Sequence, residues 1–168
     1  IIFIFFTFGL VIGSFLNVVI YRYKTKSLGG RSACMSCRSK LRFYELIPLV
    51  SFIFLRGRCR HCKTKISSQY PLVEILAGGI CAILFVKFKD LIYIDVLLFL
   101  YTFTYYTLGF LLLLVISTYD LRHKIIPDQL SFLFGALAFI GLFLFDSLGF
   151  YPHLPPLFEF SSGVLLAL

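Results

Sequence analysis

Four of the five cysteines fall into two pairs, Cys34-Met-Ser-Cys37 and Cys59-Arg-His-Cys62, with 21 residues between them. Each pair can place two thiolates on one metal ion, and two pairs close a tetrahedral site. The separation is one residue beyond the usual zinc-ribbon window. Soft thiolates favour zinc over magnesium or calcium. Four cysteine ligands leave no position for water, so the predicted site is structural. In so small a segment the metal would supply much of the folding free energy. The competing arrangement is two disulfides, which a reducing cytoplasm disfavours. His61 could replace one cysteine but reads better as a solvent-facing residue. Cys81 lies within an apolar run and is expected to pack as a small hydrophobe.

The second chemical feature is Asp120, which directly follows the apolar stretch 111–119. At the C-terminal end of a spanning helix the macrodipole disfavours a carboxylate, and partial burial acts in the same direction. A misplaced acid of this kind suits general acid–base chemistry. The alternative is a solvated loop residue paired with Arg122 or Lys124. Asp128, after Pro127, is expected to cap the next helix at its N-terminus. Glu74 is expected as an interfacial acid near the positive end of a helix. Asn17 and Ser14 could bridge helices by hydrogen bonds. Asp90, Asp95, Asp146 and Glu159 are expected in or near solvated outer loops.

The elements that must position these groups are hydrophobic. Of the 168 residues 60% are hydrophobic and 14% charged, with a mean hydropathy of +0.94. Soluble domains run at roughly 45–50% apolar. The charged residues are too few to cover a water-soluble globule, so a bilayer must solvate much of the chain. Residues 1–20 are apolar and long enough to span. The absence of a basic leader region and of a small-residue cleavage site argues against a cleaved signal peptide. Residues 21–69 form a polar, basic stretch. Apolar runs then cover about 71–86, 91–118, 129–145 and 157–168, with Pro71 suited to a first helical turn. The organisation predicted is a first transmembrane helix at 1–21, a four-cysteine zinc module at 22–69, and a transmembrane core from 70 to 168 that continues past Leu168. The fold class is mainly α, a polytopic helical bundle with a small zinc-ribbon-like cytoplasmic module between its first two spans. No sequence repeat is evident.

Twelve of the 16 Lys and Arg lie between Arg22 and Lys65, a stretch with Glu45 as its single acid. Basic residues beside a span face the cytoplasm. Residues 87–90 then lie outside, 119–128 inside and 146–156 outside. Lys87 and Lys89 are a weak vote against this topology. Anionic lipid heads are the expected partner of the basic block, and nucleic acid is not expected. The start without Met and the finish inside an apolar run suggest part of a longer protein.

Four segments resemble the type IV prepilin peptidases, the bacterial membrane aspartic proteases that process pilin and pseudopilin leaders. They are Gly13-Ser-Phe-Leu-Asn-Val-Val-Ile-Tyr-Arg22; the paired cysteines with Leu46-Ile-Pro-Leu-Val-Ser-Phe and Arg56-Gly-Arg-Cys-Arg; Ile66-Ser-Ser-Gln-Tyr-Pro-Leu-Val-Glu74; and Asp120-Leu-Arg-His-Lys-Ile-Ile-Pro-Asp128. They occur in the family's order over residues 13 to about 131. Gln69 stands where the family often has Arg, and Met35 where Pro is common. The resemblance implies that Asp120 is the first catalytic aspartate and that Cys34, Cys37, Cys59 and Cys62 hold zinc. Asp128 matches the acid of a Pro-Asp element not usually assigned the chemistry. The second catalytic aspartate belongs to a GxGD motif, which does not occur here, so it is expected beyond Leu168.

The resemblance further implies cleavage of the basic leader from a prepilin or pseudopilin at the cytoplasmic face of the bacterial inner membrane, in type IV pilus or type II secretion systems. It also carries a second activity, N-methylation of the new N-terminus with S-adenosylmethionine. Two carboxylates sharing a proton would activate water and protonate the scissile group. The basic module should repel a basic leader, so it is expected to hold anionic lipid or to pack beside the active site. A different class remains open: a non-catalytic membrane-anchored zinc module that recruits a partner.

Overall fold

A computed structural model describes residues 1–23, 32–34 and 36–146. The chain forms two compact units, Ile1–Phe134 and Gly135–Leu168. Helix α1 spans Ile2–Arg22, the short helix α2 Val50–Phe54, α3 Gln69–Phe88, α4 Val96–His123 and α5 Asp128–Asp146. In the second unit the described residues continue α5 to Asp146. The expected outer loop after it, Glu159 and the apolar run at 157–168 lie outside the described residues.

Helices α1, α3 and α4 are long and apolar enough to cross a membrane. Each buries one stripe and exposes large apolar side chains elsewhere, as lipid-facing helices do. On α1 the stripe is Gly9, Gly13, Asn17 and Ile20, spaced three or four residues apart so that all four lie on one face. It packs antiparallel on α3 through backbone. A Cβ built on Gly9 would lie 2.5 Å from the Ala77 carbonyl oxygen, and one on Gly13 would lie 2.8 Å from Cα of Glu74. Close approach through small residues is how helices associate where lipid removes the hydrophobic drive.

Two apolar clusters join α4 to this pair. At one end Cys81, Leu84, Phe85, Phe88, Phe99 and Phe103 are buried together, with the Phe5 ring stacked on Phe85 at 4.2 Å. Cys81 is fully buried there, a packing residue as expected. At the other end Ile20, Val73 and Val115 pack together. The antiparallel order puts the start of α3, the end of α1 and the end of α4 on one side of the bundle, and the 3-10 turn Lys89–Tyr93 on the other.

Helix α4 begins at Val96, five residues later than the apolar run, and continues past its end to His123. Its start is set by Asp95, whose side chain accepts the Leu97 N–H at 2.8 Å. Asp95 is therefore a helix cap and not merely a loop acid. Its finish is set by Lys124, in the left-handed region with φ 54°, whose N–H returns to the Asp120 carbonyl at 2.6 Å. The cap expected at Asp128 falls one residue earlier. The Pro127 carbonyl accepts from Leu130 and Ser131, and Asp128 is the first residue of α5, still where the macrodipole favours an acid.

The glycine contact yields a test. Gly9→Val is expected to destabilise the bundle by about 1–3 kcal/mol through overpacking, lowering the thermal unfolding midpoint in detergent. Gly79→Ala, where an added Cβ meets nothing within 4 Å, should leave that midpoint unchanged or raise it.

Candidate functional site

The two cysteine pairs fold as twin knuckles. Cys34 N–H bonds the Ser39 carbonyl at 3.0 Å and Arg38 N–H the Cys34 carbonyl at 3.0 Å; Cys59 N–H bonds the Thr64 carbonyl at 2.9 Å and Lys63 N–H the Cys59 carbonyl at 3.0 Å. Arg38 and Lys63 occupy the same positive-φ position, at 55° and 59°. Each knuckle closes with an isolated antiparallel bridge, Ala33 to Lys40 and Arg58 to Lys65. A repeat that was not evident in the sequence is thus present: Cys-x-x-Cys, a cation in the left-handed region, a hydroxyl residue, then Lys. The signal was in the chain but short and conservative, Arg-Ser-Lys against Lys-Thr-Lys.

The four sulfurs lie within 4.8 Å of one another, Cys34 to Cys62 at 3.7 Å and Cys37 to Cys59 at 4.0 Å. All four thiols are free. Tetrahedral zinc with bonds near ~2.3 Å requires sulfurs about 3.8 Å apart, so spacing and donor set fit a metal of that kind. The hydroxyl residues of the repeat tune the ligands. The Thr64 hydroxyl lies 3.2 Å from the Cys62 sulfur and with the Thr64 backbone N–H brings that thiol down to about 6. Ser39, at 3.1 Å from the Cys37 sulfur, lowers Cys37 in the same way. Cys34 takes a favourable backbone N–H from Cys37, yet burial and the neighbouring thiols push it up to about 11. Were all four ionised, thiolates this close would need a cation to balance their charge. His61 is exposed and outside the cluster.

The module is joined to the helices by a buried polar node. Glu74, 7% exposed, accepts the Leu49 N–H at 2.9 Å and a hydrogen bond from the Ser14 side chain. One turn away the Asn17 amide donates to the Tyr70 carbonyl at 3.0 Å. Ser14 and Asn17 therefore bridge helices, as expected, while Glu74 is more than an interfacial acid. Leu49 has φ 57° and ψ −47°, and the Val50 N–H bonds the Pro48 carbonyl, a strained γ-turn. Glu74 holds the amide at its centre. These residues are far apart in the sequence, 25 positions or more, and meet only in the fold.

Between module and helices lies an open groove of about 1230 Å³. Its lining includes Arg38, Arg60, Lys65 and Arg122 beside Glu45 and Glu74. Glu45 is held by the Arg42 N–H at 2.7 Å. Asp120 and Asp128 do not line this groove. Asp120 sits one turn before the end of α4, half-buried, and among the described residues no side chain hydrogen-bonds or ion-pairs with its carboxylate. Arg122 instead lies over the Tyr21 ring at 5.3 Å. Around Asp120, Tyr119 packs edge-on against Tyr23 at 5.3 Å, and the Tyr23 hydroxyl lies 3.1 Å from the Gln129 amide oxygen. Tyr23 thereby ties α4 to the residue after Asp128.

Fold and site define a multi-span membrane protein with a four-cysteine module clamped between its first two spans. Residues 7–88 match the bacterial peptidase A24 N-terminal domain. The chain is 36% identical over 176 residues to the prepilin leader peptidase/N-methyltransferase of Aeromonas hydrophila, covering 86% of this chain and 56% of that protein. It is 34% identical over 142 residues to the protein of that name in Vibrio cholerae, covering 79% and 53%. With that of Myxococcus xanthus it shares 51% identity over 75 residues, 44% and 22% of the two chains. The chain belongs to the prepilin leader peptidase/N-methyltransferase family, and it spans about half the length of these longer matches. No solved structure matches it.

Two outcomes are expected. The purified chain should carry one zinc ion by elemental analysis, and Cys37→Ser or Cys62→Ser should lose most of it. Glu74→Ala, which strips the Leu49 amide of its acceptor, should cost about 1–3 kcal/mol in unfolding free energy, with Glu74→Gln recovering much of the loss.

Proposed function

We propose that this chain is the first half of a membrane aspartic endopeptidase that removes the basic leader from type IV prepilins or pseudopilins. The observation that carries the reading is the position of Asp120. Helix α4 has 28 residues, about 42 Å of rise against a hydrocarbon core of about 30 Å. Its last turn therefore emerges at the membrane boundary, on the side that bears the cysteine module. There a carboxylate without a side-chain partner among the described residues is available for chemistry.

Asp120 is one of two carboxylates. The other is expected in the part of the relatives that this chain does not span. With one proton between them, one member takes a proton from water while the other donates to the scissile carbonyl or the leaving amine. The substrate's apolar helix would lie in the bilayer and its leader would reach Asp120 from the aqueous side. The basic residues of the 22–65 stretch orient that side to the cytoplasm of a bacterial inner membrane. Zinc held by Cys34, Cys37, Cys59 and Cys62 is structural and staples the module. The relatives' second activity would take its methyl group from S-adenosylmethionine. The groove has the volume for such a molecule, with cations in its lining for the carboxylate and the acids Glu45 and Glu74 for the positive end.

The test is Asp120→Asn in the full-length enzyme, assayed by cleavage of a prepilin in detergent or vesicles. Turnover should fall by at least about a hundredfold, the low end of a general acid–base contribution, with metal content and thermal stability unchanged. Retained turnover overturns the assignment. The 168-residue chain alone is expected to leave a prepilin uncut.

A further inference from the structure

Residues 46–55 read Leu-Ile-Pro-Leu-Val-Ser-Phe-Ile-Phe-Leu, an apolar run of ten with Ser51 its single polar side chain. It lies inside a stretch that composition marks as polar and basic. An apolar run of this length cannot cross a bilayer but suits a re-entrant or interfacial segment. The fold does not bury it. Ile53 is 71% exposed and Phe54 84%, with Leu46, Ile47 and Val50 exposed as well. Phe52 points the other way, its ring against Gly57, so α2 has an inner face and a bare outer one.

Two further observations identify what covers the outer face. The first is depth. The Leu49 amide is bonded to Glu74, the sixth residue of a membrane-spanning helix that starts at Gln69. Glu74 lies about 7.5 Å along that helix from its start. Helix α2 begins at the next residue after Leu49 and is therefore pinned at the level where headgroups meet acyl chains, the depth at which interfacial helices lie. The second is charge. Phe54 shares a hollow of about 540 Å³ with Arg56, Arg58, Arg60 and Lys63. Apolar side chains rimmed by cations complement an anionic leaflet.

We infer that residues 46–55 form an interfacial membrane anchor, with Ile53 and Phe54 inserted among the lipids of the leaflet that the start of α3 reaches and the surrounding arginines on anionic headgroups. The four-cysteine module is thus seated on the bilayer, held by lipid on one face and by Glu74 on the other. The inference rests on the membrane-spanning architecture and not on the peptidase reading.

The chain contains no Trp, so a single introduced indole reports on its own surroundings. Ile53→Trp and Phe54→Trp are compared with His61→Trp, at an exposed knuckle position, in vesicles of phosphatidylcholine and phosphatidylglycerol. Acyl-brominated lipid should quench the indoles at 53 and 54 several-fold more than the one at 61, with emission shifted to the blue and weaker quenching by aqueous acrylamide. Equal acrylamide quenching at all three positions, with no added effect of brominated lipid, overturns the anchor. So does shielding of 53 and 54 from both quenchers, which would mean that a second copy of the chain or another protein covers them.

Discussion

Helices α1 and α3 touch backbone to backbone at Gly9 and Gly13, with Ala77, Gly78 and Glu74 opposite, and the rest of the described structure hangs on that contact. In a bilayer, apolar side chains gain little by leaving lipid for protein, so association has to come from close packing and shared polar groups. The antiparallel register that the glycines set brings Ser14 to Glu74 and Asn17 to the Tyr70 carbonyl. It also holds the two ends of the polar segment a helix width apart. A loop whose ends are already together loses less entropy on ordering than a free one.

Two staples then order that segment at different points. The sulfur cluster ties its two knuckles to each other, and Glu74 ties its middle, at Leu49, to the membrane helices. Leu49 sits in a backbone conformation that costs energy for a side chain with a Cβ. The hydrogen bond from its amide to a buried carboxylate offsets part of that cost. Between the staples remains the groove, lined by cations from both the module and the end of α4. Three of the four segments that carry the family resemblance converge on the Glu74 node, which gives them a structural reason to occur together.

Asp120 owes its place to a different constraint. Helix α4 is longer than the bilayer needs, and it stops only where Lys124 turns left-handed. Its last turn is steadied by Tyr119 against Tyr23 and by Arg122 over Tyr21. Arg122 is thus engaged with a ring, and the Asp120 carboxylate has no side-chain partner among the described residues.

Much of this was legible in the residues themselves. The apolar runs marked the spanning helices because a bilayer imposes length and hydrophobicity without reference to neighbours. The cysteine spacing marked a four-thiol cluster because two thiols on one knuckle are a local matter. Asp120 stood out as an acid directly after an apolar run. The residues that only the tertiary structure explains act across long separations. Glu74 looked like an interfacial acid until Leu49, 25 positions away, arrived beside it, and the close approach at Gly9 and Gly13 exists only once α3 lies against α1. The run at 46–55 was hidden by the charge of its flanks. Composition averages over a window, whereas exposure depends on which side chains the fold has room to bury.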